Sequence, residues 1–239
     1  TRYISVTGVQ TCALPISSPV WVAVDQEGGA VARLRAPFTE WPPMASLGRA
    51  GDVELARRFA AALAAELKAV GVTLDYAPVL DINTNPSNPV IGDRALSEKA
   101  EVVAALGAAI IDGLQGVGIA ACGKHFPGHG DTTVDSHLDL PIVEHPPDRI
   151  RRVECVPFVE AIHRNVAFMM TAHVLVPTMD EERPATLSRR LVYDLLREEL
   201  GYEGVILSDD LEMKALARDY GVGEAAVLAI AAGCDGVLV

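Results

Sequence analysis

Residues 124–137, KHFPGHGDTTVDSH, bring several titratable side chains together in one short segment. It contains Lys124, two aspartates and three histidines, His125, His129 and His137. Imidazole and carboxylate groups at such spacings can bind a metal ion, or they can transfer protons during catalysis. A polar surface loop without chemistry is a third interpretation.

The metal interpretation requires suitable geometry. His125 and His129 are four residues apart, which would place two ligands on one face of a helix. Pro127, Gly128 and Gly130 disfavour a helix at this place, because proline breaks the hydrogen-bond ladder and glycine is a poor helix former. The segment therefore reads as a loop, and we expect no metal site.

Proton transfer depends on two other features of the sequence. Asp135 lies two residues before His137, so a carboxylate could orient the imidazole ring and stabilise its protonated form. On spacing alone, an Asx turn beside an exposed histidine explains this pair equally well. Asp209 and Asp210 end an apolar run, and only one of them can face the same side as a catalytic site. Such a carboxylate could be a nucleophile, or it could cap a helix.

The elements that would position these groups alternate along the chain. Apolar runs rich in β-branched residues occupy residues 20–25, 72–81, 118–126, 166–174, 204–210 and 235–239. Between them, apolar residues recur at helical spacing in residues 53–70, 97–118, 147–164, 188–200 and 223–233. Asp52 and Ser97 are the expected N-caps of the first two helices. Apolar strands that are each followed by a helix predict a parallel sheet covered on both faces.

The ends of these runs favour one kind of parallel sheet. Most of the runs end in a charged or imidazole side chain: Asp25, Asp81, Lys124 with His125, His173 and Asp209. In a closed barrel all these ends meet at one mouth, whereas in an open sheet only those near the switch point would meet. The fold prediction is an α/β protein with a TIM-type (β/α)8 barrel, truncated so that the first and last strand units are missing.

Composition limits the partners. The net charge of −12 argues against nucleic acid or an anionic membrane surface, and no uninterrupted apolar run reaches the roughly 18–20 residues of a membrane span. Four scattered cysteines favour a reducing, cytoplasmic location, and we expect a monomer. Residues 1–17 lack the pattern of the rest, so we expect a non-native leader, followed by the barrel domain over residues 18–239.

Five motifs carry a resemblance to a known family. VDQEGGAVARL, NPVIGDRAL, GKHFPGHGDTTVDSHLDLP, MTAHV and ILSDDLEM follow one another in this order. Over about residues 19–239 the chain resembles glycoside hydrolase family 3, and in particular its β-N-acetylglucosaminidase branch. The resemblance implies a TIM-type barrel, no metal, no cofactor and a retaining mechanism in two steps.

The resemblance also implies roles for individual residues. Asp209 matches the catalytic nucleophile, His137 the general acid/base and Asp135 its partner in a dyad. The positions that match substrate-binding residues are Asp25, Arg33, Arg94, Lys124 and His125. For His129, Asp131 and His173 we expect supporting roles.

The implied substrate is a small carbohydrate. The enzyme would release terminal β-linked N-acetylglucosamine from peptidoglycan-derived muropeptides during cell-wall recycling. A β-glucosidase of the same family and an N-acetylglucosaminide phosphorylase are the enzymatic alternatives. A non-catalytic, sugar-binding barrel fragment is the alternative of another class.

Overall fold

The computed structural model of the chain describes residues 20–134, 136 and 139–239. The predicted leader therefore lies outside the described residues. The strands are β1 (Ala23–Val24), β2 (Gln26–Gly28), β3 (Val31–Ala32), β4 (Leu74–Asp75), β5 (Ala120–Phe126), β6 (Phe168–Thr171), β7 (Val205–Asp210) and β8 (Gly236–Leu238). β2 and β3 form an antiparallel hairpin, and the other strands form one parallel sheet in the order β1-β4-β5-β6-β7-β8.

This strand order distinguishes the two sheet types. Each strand of the parallel sheet lies beside the next one in the chain, without the reversal that marks a doubly wound sheet. A barrel-type succession of strands has this property. All six predicted runs contain a strand, and the parallel, TIM-like arrangement is confirmed as a half-barrel. Within the described part of the chain β1 and β8 are the edges of this sheet, so a closed eight-stranded barrel remains a prediction.

Helical segments follow the strands. The α-helices are α1 (Met44–Ala50), α2 (Val53–Ala69), α3 (Ala100–Val117), α4 (Pro147–Arg149), α5 (Val156–His163), α6 (Lys214–Ala217) and α7 (Val222–Ala232). Short 3-10 turns occupy Gly92–Arg94 and Ala185–Leu187, and wider π-type turns occupy Ile150–Glu154 and Arg190–Glu199.

One of the two predicted N-caps is confirmed. The side chain of Asp52 accepts hydrogen bonds from the N–H groups of Glu54 and Leu55 at the start of α2. The other was wrong, because α3 begins three residues after Ser97 and has Lys99 at its N-cap. The Ser97 hydroxyl instead accepts from the Lys99 N–H in the turn before the helix.

The apolar core lies on both faces of the sheet. One large cluster fills the space between the sheet and its helices, and α3 is its central helix, with contacts to α2 and α5. α3 has the length and apolar composition of a membrane span, but ten of its residues are buried inside the protein. Such burial is that of a core helix.

The face of the sheet turned away from the helices determines where the polar strand ends point. It carries a smaller cluster formed by Leu74, Cys122, Phe168, Met170 and Leu207. Side chains two residues apart on a strand share a face. Lys124 follows Cys122 by two residues, and Asp209 follows Leu207 by two. Both polar groups are thereby directed to this inner face at the carboxyl ends of β5 and β7.

Candidate active site

A chain of four charged side chains forms the first part of the site. Lys124 Nζ lies 2.6 Å from Asp25 Oδ1 and 2.6 Å from Glu27 Oε1. Glu27 also accepts two hydrogen bonds from Arg94, from Nε and Nη2, each 2.9 Å long. These residues come from the end of β1, from β2, from the turn Gly92–Arg94 and from β5. The order Asp25–Lys124–Glu27–Arg94 alternates negative and positive charge, and we call these residues the charged chain.

Burial makes these contacts strong. The side chains of Lys124 and Glu27 are 3% and 2% exposed, whereas that of Asp25 is 31% exposed. Burial alone would raise the pKa of Glu27, but Lys124 and Arg94 outweigh it and lower that pKa to about 2. Burial alone would lower the pKa of Lys124, but the Asp25 and Glu27 carboxylates raise it above its usual value. Glu27, Arg94 and Lys124 are therefore ionised at neutral pH.

Asp25 and Glu27, the two carboxylates of the charged chain, lie just before and within the hairpin formed by β2 and β3. Gln26, between them, donates its backbone N–H to Asp75 Oδ1 over 3.0 Å. Its side-chain oxygen accepts from the N–H groups of Arg33 and Leu34, which closes the hairpin. The Arg33 side chain is exposed, and it forms no ion pair with any residue that the structure describes.

Asp75 lies directly beneath this hairpin in β4. It is completely buried, and its Oδ2 atom has no hydrogen-bond partner in the described structure. Burial raises the pKa of this carboxyl well above the usual value, and the nearby Asp25 and Glu27 charges raise it further. The hydrogen bond from the Gln26 N–H and the charge of Lys124 act in the opposite direction but do not outweigh burial. Its surroundings thus favour the protonated, neutral form of the Asp75 carboxyl.

A second buried carboxylate organises the start of the loop that follows β5. Asp81 accepts from His125 Nδ1 over 2.7 Å and from the His129 N–H over 2.6 Å. Burial would raise the pKa of Asp81, but the adjacent His125 ring and the His129 N–H lower it below its usual value. The Asp81 carboxylate therefore fixes the orientation of the His125 ring at the end of the strand.

The loop itself uses glycine where space or conformation demands it. Gly128 has φ +128°, and a Cβ atom there would press on the Glu154 side chain. A Cβ on Gly130 would overlap the Ile82 carbonyl oxygen. The prediction of a loop instead of a helix is confirmed, since Pro127 follows directly on β5 without a helical turn.

Hydrogen bonds occupy the His129 ring. Nδ1 lies 2.7 Å from Thr132 Oγ1, and Nε2 lies 3.0 Å from Ser136 Oγ. The Ser136 carbonyl oxygen accepts from the Ala215 N–H, which ties the loop to the start of α6. Burial lowers the pKa of His129, so the ring is neutral at pH 7. Among the residues that the structure describes, no three His, Cys, Asp or Glu side chains are arranged to hold a metal ion.

Asp131 lies on the outer side of the same loop. Its carboxylate accepts from Thr84 Oγ1 over 2.9 Å and from His145 Nε2. Glu154 Oε1 lies 3.9 Å from the same imidazole and 3.3 Å from Arg149 Nε. Asp131 thereby connects the loop to the helical layer, in a supporting position.

The two neighbouring aspartates at the end of β7 have different surroundings. Asp210 Oδ1 accepts from the Glu212 N–H and stabilises the turn that follows the strand. Burial alone would raise the pKa of Asp209, but His173, His125, the Asp210 N–H and Lys124 lower it below its usual value. Asp209 is therefore the carboxylate held ionised among the polar strand ends, while Asp210 shapes the turn.

His173 holds this end of β7 in place. Its Nε2 donates to the Asp210 carbonyl oxygen over 2.8 Å, and its Nδ1 lies 2.8 Å from Thr186 Oγ1. The ring is fully buried, and burial lowers its pKa. A neutral ring protonated on Nε2 satisfies both contacts, with Nδ1 accepting from the Thr186 hydroxyl.

The structure brings most of the predicted site residues together. Contacts link Asp25, Lys124 and Arg94 through Glu27, and Asp209 lies within the electrostatic influence of Lys124 and His125. Arg33 joins this group only through its backbone N–H, which donates to Gln26, and its side chain has no ion-pair partner among the described residues. The predicted acid/base dyad, Asp135 and His137, lies outside the described residues.

Two residues that form part of this site were not identified from the sequence. Glu27 was not assigned a role, and Asp81 was noted only as a strand end. A signal for Glu27 existed, because it lies two residues after Asp25 and an extended chain turns such residues to the same side. No comparable signal identified Asp81 as the partner of two histidines, since that pairing depends on how neighbouring strands are aligned.

Fold and site together define a class of protein. It is a parallel α/β protein of the barrel type, with an ionised aspartate and a paired lysine, arginine and histidine at the carboxyl ends of its strands. The chain belongs to glycosyl hydrolase family 3, because the model of the family's N-terminal domain matches residues 4–239.

Individual relatives agree with this assignment. A beta-hexosaminidase from Nitrosomonas eutropha is 45% identical over 230 residues, which cover 93% of this chain and 65% of the relative. The solved structure of a glycoside hydrolase family 3 beta-N-acetylglucosaminidase from Paenibacillus sp. str. FPU-7 has 51% identity and a TM-score of 0.91, covering 93% of this chain and 42% of that one.

A third relative has been solved with a sugar analogue. The structure of NagZ from Neisseria gonorrhoeae in complex with N-trifluoroacetyl-D-glucosamine has 39% identity and a TM-score of 0.85, covering 92% of this chain and 65% of that one. This chain thus spans less than two thirds of the length of these three relatives.

Proposed function

We propose that the protein is a retaining exo-β-N-acetylglucosaminidase that hydrolyses terminal β-linked N-acetylglucosamine. The observation that carries the proposal is the Asp209 carboxylate, held ionised at the end of β7 among His173, His125 and Lys124. An ionised carboxylate beside cationic and hydrogen-bonding groups for a sugar is the arrangement required of a glycosidase nucleophile.

The reaction would take place in two steps. In the first, an Asp209 oxygen attacks the anomeric carbon, the bond to the leaving oxygen breaks, and His137 donates a proton to that oxygen. In the second, His137 removes a proton from water, the water oxygen attacks the anomeric carbon, and Asp209 leaves. Asp135 would orient His137 and stabilise its protonated form.

The charged chain and His125 would bind the sugar. Asp25 is its most exposed carboxylate and can accept hydrogen bonds from sugar hydroxyl groups. The exposed Arg33 side chain can donate to hydroxyl or acetamido oxygens at the rim of the site. The names of the relatives support an N-acetylated sugar, as does the N-trifluoroacetyl-D-glucosamine bound to the Neisseria gonorrhoeae protein.

The biological setting is part of the same proposal. We assign the natural substrates to peptidoglycan-derived muropeptides, released during cell-wall recycling by a monomeric protein in the cytoplasm. The reducing environment suggested by the cysteines supports this location, and the three that are described are free and buried.

Hydrolysis of an aryl β-N-acetylglucosaminide tests the proposal. The wild-type chain should release the phenol, and Asp209→Ala should reduce the rate by more than about 10³-fold, since covalent catalysis is lost. Asp210→Ala is the matched control and should retain most of the activity. Equal loss in both variants, or no loss in Asp209→Ala, would contradict the assignment. If added phosphate is converted to sugar 1-phosphate, the enzyme is a phosphorylase and the assignment as a hydrolase is wrong.

A further inference from the structure

The charges around the proposed sugar site are balanced by a residue that has no assigned role. Glu27 is buried, and it is the only member of the charged chain that contacts both Lys124 and Arg94. With Asp25 it supplies two negative charges against two positive ones. The two cations that could bind an anionic ligand are thus neutralised before any ligand arrives.

The remaining groups at these strand ends make the site more negative. Asp81 and Asp209 are both held ionised, and Asp210 lies beside Asp209. Asp75 is buried nearby, and burial raises the pKa of its carboxyl. Lys124 and Arg94 are both paired with carboxylates, whereas Arg33, whose backbone N–H contacts Gln26, is exposed to solvent and has no carboxylate partner in the described structure.

We propose that Glu27 determines specificity for the charge of the sugar. By neutralising Lys124 and Arg94, it makes the site select uncharged sugars and exclude phosphorylated, sulfated or uronic sugars of similar size. The cations keep their N–H donors for hydroxyl and acetamido oxygens, but they carry no excess charge that would attract an anion. This inference rests on the proposed function, because it takes the charged chain as the part of the site that binds the sugar.

Binding measurements test the inference separately from catalysis. Isothermal titration of the 239-residue chain with N-acetylglucosamine and with N-acetylglucosamine 6-phosphate gives the ratio of the two affinities. The wild type should bind the neutral sugar more tightly. In Glu27→Gln, which keeps the shape and removes one negative charge, the ratio should shift toward the phosphate by about tenfold or more. The gain in relative affinity for the phosphorylated sugar should diminish as the salt concentration is increased.

Two further variants separate charge from shape. The double variant Glu27→Gln/Arg94→Gln restores the charge balance, so its preference should return toward the neutral sugar. Glu199→Gln removes a carboxylate that is paired with Arg151 in the same two-bond geometry, but on the exposed helical surface. It should leave the ratio unchanged.

Each outcome has a defined meaning. If Glu27→Gln does not fold, Asp25→Asn removes the other partner of Lys124 and should shift the ratio in the same direction. An unchanged ratio in folded Glu27→Gln, an equal shift in Glu199→Gln, or a wild type that binds neither sugar would overturn the inference. A wild type that binds neutral sugar selectively but hydrolyses no glycoside would contradict the proposed function and leave the charge selection intact.

Discussion

His173 donates from Nε2 to the carbonyl oxygen of Asp210 over 2.8 Å, and so connects the segment after β6 with the end of β7. The other ring nitrogen, Nδ1, lies 2.8 Å from Thr186 Oγ1. The backbone that carries Asp209 is therefore fixed by a buried, neutral imidazole. In the proposed reaction, His173 is a positioning residue and not a catalytic one.

Replacing His173 should affect the chemical step more than binding. We expect His173→Ala to lower kcat by about 10²-fold with a smaller change in KM, because a displacement of about 1 Å at the nucleophile can cost that much. His173→Gln, which keeps a side-chain donor, should recover part of the loss. His163→Ala, at an exposed histidine of α5, is the control. Unchanged kcat in His173→Ala would contradict this role.

The pH dependence of activity should reflect the Asp209 environment. Its pKa is lowered, so Asp209 stays ionised below the ordinary aspartate value of about 3.9, and its acid limb in kcat/KM should lie below that pH. His173, neutral at pH 7, lowers this pKa through the positive charge that it carries when it is protonated in acid, so the limb should move to higher pH in His173→Ala. A pH–rate profile of both proteins measures this. Superimposable acid limbs would show that His173 does not act on Asp209.

Gly130 should be required for the shape of the loop after β5. Gly130→Ala would place a methyl group on the Ile82 carbonyl oxygen, and we expect a loss of about 1–3 kcal/mol in the free energy of unfolding. Gly116→Ala in α3 is the matched control, because among the described residues no atom outside the helix backbone lies within 4 Å of its added methyl group. That change should raise the free energy of unfolding by up to about 1 kcal/mol. Denaturant unfolding compares them, and equal effects would contradict the packing argument.

Asp75 should lower stability at neutral pH. Its pKa is raised in the folded protein. Its contribution to the free energy of unfolding is therefore fully present below the unfolded pKa of about 3.9, and it is lost as pH rises toward the folded pKa. Asp75→Asn keeps an oxygen for the Gln26 N–H but cannot ionise. The variant should therefore gain stability relative to the wild type as pH rises from about 4 to 7.

Urea denaturation at several pH values between these limits measures this difference. Asp219→Asn, at an exposed aspartate, should show no comparable trend. A difference between Asp75→Asn and wild type that stays constant across the pH range would show that Asp75 titrates normally.

The strands and their order could be predicted from the sequence because the signal is local. Each apolar run is long enough to identify a strand, and a helical pattern after each run implies parallel neighbours. The polar group at each run's end then predicted which side chains meet. Asp25 and Lys124, both at such ends, are in contact in the structure. Arg94, which only the family resemblance indicated, is joined to them through Glu27, whose role was not foreseen.

The pairings within the site could not be predicted in the same way. Glu27 is 67 residues from Arg94 in the chain, and their contact depends on the hairpin after β1 and the turn before α3. The spacing of Glu27 from Asp25 indicates a shared side of an extended chain, but it shows neither that Glu27 is buried nor which cations it contacts. Ser97 failed as an N-cap for a related reason, because local propensity did not determine which residue begins α3.

Labelling of the nucleophile tests the central proposal most directly. A 2-fluoro sugar with a good leaving group should form a glycosyl-enzyme that is hydrolysed slowly, and mass spectrometry of the digested protein identifies the modified residue. We predict a single adduct on Asp209. An adduct on Asp210, or hydrolysis of the aryl glycoside without any covalent adduct, would contradict the assignment of Asp209 as the nucleophile of a retaining glycosidase.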